Sequence, residues 1–142
     1  MKRILVAVDG SPRAQVVLDA AARLANLTHA KLVLFRAVGV PPELPADLIS
    51  LPPIRLEETL RSTALASLDR IASTVSPALI ESITTGVGTA WDAIVREAKE
   101  VDADLIVIGS HGYSGLDRLI GTTAAKVVNH ADRNVLVVRT VL

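Results

Sequence analysis

No cysteine occurs among the 142 residues. Disulfides, thiolate metal sites and cysteine nucleophiles are therefore excluded, and the chain suits a reducing compartment. Aromatic residues are nearly missing: Phe35, Trp91 and Tyr113 complete the set. A core must then be built from Val, Ile, Leu and Ala, a composition that fits a parallel sheet covered by helices. Net charge is missing too, with 15 basic against 15 acidic residues. No broad positive field exists to draw in nucleic acid. No apolar run approaches the length of a membrane span. Met1-Lys2-Arg3 is followed by only five apolar residues, Ile4 to Val8, before Asp9. That run is too short for the hydrophobic region of a signal peptide. The expectation is a soluble cytoplasmic protein without nucleic-acid or membrane partners.

What is present is alternation. The length fits one domain, 1–142. Ile4 to Val8 reads as a strand buried on both faces. Ser11 then suits an N-cap and Pro12 a first helical turn, with Ala14, Val17, Leu18, Ala21 and Ala25 on one helix face ending near Leu27. Leu32 to Phe35 is a second strand. Residues 39–54 carry prolines at 41, 42, 45, 52 and 53, a density that predicts a long loop, either a lid or partner contact or a plain insertion. Leu56 to Val75 repeats with helical period. Leu79 to Thr85 is a polar, edge-like strand broken by Gly86-Val87-Gly88. Thr89 and Asp92 resemble a capping box for a third helix carrying Trp91, Ile94, Val95 and Ala98 inward. Leu105 to Ile108, a glycine-bearing loop over 109–121, a helix from about Thr122 and a last strand, Val135 to Val138, complete the chain. Alternating strands and helices imply parallel pairing with right-handed crossovers. The prediction is an α/β fold: a doubly wound, three-layer α/β/α domain with a five-stranded parallel sheet in order 3-2-1-4-5 and four helices. Ligands in such sheets bind at the carboxyl ends of strands, where the strand order reverses. Asp9-Gly10-Ser11 and the glycine loop both fall there.

The loop reads Gly109-Ser110-His111-Gly112-Tyr113-Ser114-Gly115-Leu116-Asp117-Arg118-Leu119-Ile120-Gly121-Thr122-Thr123. Glycines let main-chain N–H groups approach an anion without a Cβ in the way. The helix start adds unpaired N–H groups and a positive dipole end. Ser114, Thr122 and Thr123 offer hydroxyls. Chemistry alone leaves this loop open between a phosphate cradle and a turn with glycines in left-handed positions. It is not a P-loop, because no Gly-Lys-Ser/Thr closes it, and Asp9-Gly10-Ser11-Pro12 lacks the spaced glycines of a dinucleotide fingerprint. His111 reads as a loop side chain near a ligand. His29 and His130 read as surface or cap residues, in no metal-ligand spacing with His111. Lys126 reads as a solvated lysine, and Arg118 is open between solvent and phosphate. Trp91 reads as packing rather than a platform for a base. Asp102 and Asp104 precede the fourth strand, at the sheet's opposite end.

Three segments taken together resemble the universal stress protein family: the opening Ile-Leu-Val-Ala-Val-Asp-Gly-Ser, the Gly-x2-Gly-x8-Gly-Thr loop, and the ending His130-Ala131-Asp132-Arg133-Asn134-Val135-Leu136-Val137-Val138-Arg139. The similarity in element order covers the whole chain. The family's ATP-binding branch carries Gly-x2-Gly-x9-Gly-Ser/Thr. Here the second spacing is one residue shorter, and Thr122 stands where Ser is commoner, a departure that bears on phosphate geometry. The resemblance implies that Asp9 hydrogen-bonds the ribose or the polar edge of adenine. It places Ala7, Ala37 and Ile108 along the adenine slot, and Gly109, Gly112, Gly121, Thr122 and Thr123 at the phosphates, with Val8 and His111 also on the ligand. An aspartate carboxylate at a strand end can accept hydrogen bonds from vicinal hydroxyls. The implied ligand is ATP, or ADP or AMP, with or without Mg²⁺. The implied partner is a second copy, joined antiparallel through the last strand, 135–139.

The leading function is thus an adenine-nucleotide-binding regulatory protein of the stress response, without rapid turnover. A slow ATPase or phosphotransferase using His111, Asp9 and magnesium is the enzymatic alternative. A dimeric interaction module that binds no nucleotide, with the proline-rich loop as its contact surface, is the third.

Overall fold

Hydrophobic alternation decides the layering. In β1 (Arg3–Ala7) Ile4 and Val6 face one way, and Leu5 and Ala7 the other. The computed structural model describes residues 1–39, 53–111 and 120–140. On the first face, Ile4 and Val6 join Leu32 and Leu34 of β2 (Lys31–Val38), Val17, Leu18 and Ala21 of α1 (Ala14–Thr28), and Leu68 of α2 (Pro53–Ala72). On the second, Leu5 and Ala7 join Phe35, Ile106 and Ile108, under Ala93 and Ile94 of α3 (Ala90–Glu100) and Val127 of α4 (Thr122–His130). A short 3₁₀ turn, Pro77–Leu79, leads into β3 (Ile80–Val87); β4 is Leu105–Gly109 and β5 is Asn134–Val138. All four pairings are parallel, in the order β3-β2-β1-β4-β5. The predicted class and strand order are those observed, and the described residues hold four α-helices, as predicted. Ala7 pairs with Phe35 on one side and Ile108 on the other. The order therefore reverses between β1 and β4, beside the carboxyl ends of both.

Several local expectations need correction. Ser11 does not cap α1. Its N–H donates to Asp9 Oδ1 (2.8 Å), its Oγ accepts from Arg13 N (3.3 Å), and the helix starts at Ala14. Asp9 fastens a side-chain turn, so the serine is spent on that turn rather than on the helix. His29 ends the helix in the left-handed conformation (φ 60°), donating its N–H to Ala25 O. β2 runs on to Val38, three residues beyond its apolar run. β3 does not break at Gly86. It continues to Val87, because a Cβ at Gly86 would meet the Phe35 ring at 3.0 Å and glycine leaves that ring its space. Thr89 occupies the N-cap of α3 but makes no side-chain cap. Asp92 is shorter than the Glu or Gln of a capping box, and it pairs with Arg96 instead (3.0 Å). The proline-rich loop lies outside the described residues except at its ends. α2 already begins at Pro53, where a missing N–H costs nothing in a first helical turn.

Polar side chains fasten the amino end of the sheet. Asp104 Oδ2 accepts from the N–H groups of Lys2 (2.6 Å) and Arg3 (2.9 Å), and these bonds hold its carboxyl below the usual range. Arg3 reaches across to Glu81 on β3, and that hydrogen bond likewise lowers the glutamate. Arg133 donates to Ala98 O (2.7 Å) and Ala103 O (3.0 Å), tying the end of α3 to the entry of β5. Asp102 and Asp104 thus lie at the end opposite the cleft described next.

Candidate functional site

Three parts of the chain meet at the same edge of the sheet: the β1–α1 turn, the end of β2, and the exit of β4 with the start of α4. Between them lies a cleft of about 650 Å³. Ala7, Val8, Ala37 and Ile108 give it an apolar part, and Asp9, Gly109, His111, Gly121, Thr122 and Thr123 line it as well. Every position proposed from the sequence lines this cleft except Gly112, which lies outside the described residues, as do Ser114 and Arg118.

The start of α4 borders this cleft. Gly121 is the N-cap, in extended conformation, and has no side chain of its own to close the first turn. The leading N–H groups of a helix have no intrahelical acceptor and carry its positive partial charge. Gly121 itself donates to Ser110 O at 2.7 Å. A Cβ on Gly121 would lie 3.0 Å from that same oxygen, so only glycine brings α4 so close to the end of β4.

His111 is buried at 8 % exposure. Its Nδ1 lies 3.1 Å from Ser110 Oγ, while its buried Nε2 finds no partner among the described residues. Buried polar atoms are normally paired, so a lone imidazole nitrogen at a cleft calls for a partner from outside the described protein atoms.

Sequence reasoning missed two cations on the same cleft, Arg13 and Arg36. Arg13 follows the Asp9 turn, and its Nε donates to Thr140 O (2.9 Å). Arg36 lies in the part of β2 beyond its apolar run; extending that strand would have brought it to the ligand edge. Trp91 packs between helices: its ring stacks on His130 (4.5 Å, 28°), and Lys126 Nζ lies 5.8 Å from the ring centroid. Lys126 is thus engaged with an indole rather than merely solvated. Among the described residues no group of three or more His, Asp or Glu side chains could hold a metal. No helix there is long and apolar enough to cross a membrane.

Comparison with known proteins decides the family. The universal stress protein family matches residues 1–139. The chain belongs to that family. Universal stress protein A homolog 1 of Coxiella burnetii is 34% identical over 139 residues, covering 96% of this chain and 95% of its own. Among solved structures, the universal stress protein UspA from Lactobacillus plantarum superposes with a TM-score of 0.75 at 29% identity, covering 97% of each chain. A universal stress protein in complex with cAMP superposes with a TM-score of 0.72 at 27% identity, over 99% of this chain and 98% of the other. One from Archaeoglobus fulgidus in complex with dAMP gives 0.60 at 25% identity, over 97% and 98%. Some structural neighbours in the universal stress protein family thus bind adenine nucleotides.

Proposed function

We propose that this universal stress protein is a cytoplasmic regulatory protein of the stress response that binds an adenine nucleotide, ATP foremost, without rapid turnover. One observation carries the reading: the start of α4, with glycine at its N-cap, and Asp9 line one cleft. Phosphate belongs at the helix start, where N–H groups and dipole favour an anion. The ribose hydroxyls belong at Asp9, whose carboxylate accepts hydrogen bonds from vicinal hydroxyls and would repel phosphate. The base lies over Ala7, Val8, Ala37 and Ile108. His111 Nε2 and the guanidinium groups of Arg13 and Arg36 add complements to a polyphosphate chain. Any Mg²⁺ arrives with the phosphates, since this ion is usually held by one or two carboxylates plus phosphate oxygens. The cAMP- and dAMP-bound relatives support the nucleotide class.

Titration calorimetry in magnesium buffer tests this. ATP is expected to give a saturable heat, and Asp9→Ala to weaken it by about tenfold, as for a lost hydrogen bond to a charged group. No heat from the folded wild-type protein rules the reading out. ATP turnover that is sustained in wild type and lost in Asp9→Ala would move the protein to the enzymatic alternative.

The second proposal is a homodimer through β5. This strand is a sheet edge, paired only with β4 among the described residues. Leu136 on it is 40% exposed. An edge with open main-chain groups and apolar side chains is a template for another strand. Analytical ultracentrifugation is expected to show a dimer at micromolar concentration, and Leu136→Lys to shift it toward monomer. A wild-type protein sedimenting wholly as monomer would refute it.

A further inference from the structure

Thr140 lies two residues past β5, yet it is fully buried. It has no sequence signal of function, and every polar group it carries is used. Its N–H donates to Ser110 Oγ (3.1 Å). Its hydroxyl accepts from His111 N and donates to His111 O, both at 3.3 Å. Its carbonyl accepts from Arg13 Nε at 2.9 Å. Its methyl faces Gly109, where an added Cβ would lie 3.2 Å from it. One residue thus holds the exit of β4 and the β1–α1 turn, two of the three segments that frame the cleft.

The same dipeptide is clasped from two further directions. Ser110 O accepts from Gly121 N at the start of α4 (2.7 Å), and Ser110 N donates to Val138 O at the end of β5 (2.8 Å). A continuous set of hydrogen bonds therefore runs from the helix start through Ser110–His111 and Thr140 to the last strand. The set holds its geometry through paired main-chain and hydroxyl groups, and among the described residues His111 Nε2 is the member left without a partner.

We infer that Thr140 is a positioning residue that couples occupancy of the cleft to the stability of the β5 edge. This inference rests on the nucleotide reading above. An anion held by the start of α4 and by Arg13 fixes both outer ends of the network, so opening of β5 must then break bonds the ligand has tightened. Coupling of this kind is reciprocal: whatever orders β5, a second copy included, tightens the cleft.

Hydrogen exchange followed by mass spectrometry, with and without saturating ATP, tests it. In wild type, ATP is expected to slow exchange at Gly121–Thr123 and also across Val135–Val138, the latter by about tenfold. Thr140→Val removes the hydroxyl's bonds to His111 N and O while the main-chain links involving Ser110, Arg13 and Val138 persist; it should keep protection at the cleft and reduce the ATP-dependent slowing of β5. Thr140→Ser keeps the hydroxyl and should restore it. Cleft protection in wild type without any change in β5 overturns the coupling and leaves the nucleotide reading standing. Equal slowing of β5 in Thr140→Val also overturns it. Absence of protection at the cleft in wild type removes the nucleotide reading, and the coupling falls with it.

Discussion

Gly121→Val is expected to weaken ATP binding by about ten- to a hundredfold while the protein remains folded. The backbone φ of −64° at Gly121 suits any residue, so the effect is purely steric. A Cβ there meets Ser110 O at 3.0 Å, and that carbonyl belongs to a residue already fixed by Val138 and Thr140. The clash cannot be relieved by a side-chain rotation. The start of α4 must move outward instead, taking its N–H groups off the ligand. An unmade hydrogen bond to phosphate costs about 1–3 kcal/mol, which gives the stated range. Calorimetry supplies the affinity, and far-ultraviolet circular dichroism confirms the fold. Affinity unchanged in a folded Gly121→Val would remove the helix start from the site.

The largest effect on stability is expected from Phe35→Ala. Phe35 is fully buried and, among the described residues, is the one fully buried aromatic ring, on β2 beneath Ala93. Its ring also fills the space left by Gly86 on the neighbouring strand. Truncation leaves a cavity bounded by a strand on one side and α3 on the other, neither free to collapse. The expected loss is about 3–5 kcal/mol, a large share of a typical domain's stability. Urea unfolding measures it. A loss under about 1 kcal/mol would mean that the Val, Ile and Leu neighbours repack into the space.

The architecture was legible because each central strand is an unbroken apolar run. Ile4 to Val8 and Leu105 to Ile108 can only be covered on both faces, which forces helices onto both sides. Strand ends were less legible. β2 continues through Arg36 to Val38, because pairing with β3 rather than hydrophobicity sets its length. That misreading hid Arg36 from the site. Arg13 was hidden by reading Ser11-Pro12 as the helix start, when Asp9 had already taken the serine into a turn. The wall of the cleft was legible from Asp9, Gly109, Gly121 and Thr122, since strand–glycine–helix junctions have a chemical signature of their own. Thr140 had none: its partners Ser110 and His111 lie 30 and 29 residues away, and only the folded chain brings them together.

Trp91 is the chain's single tryptophan, and it is stacked on His130 within 5.8 Å of the Lys126 ammonium. Its neighbour Ala90 lines the cleft, as does Ala124 at the other side of the same helix pair. Tryptophan emission from this molecule therefore originates at one spot, in the seam where α3 meets α4. The fold carries its own optical probe beside the cleft, and no label need be attached to watch that seam.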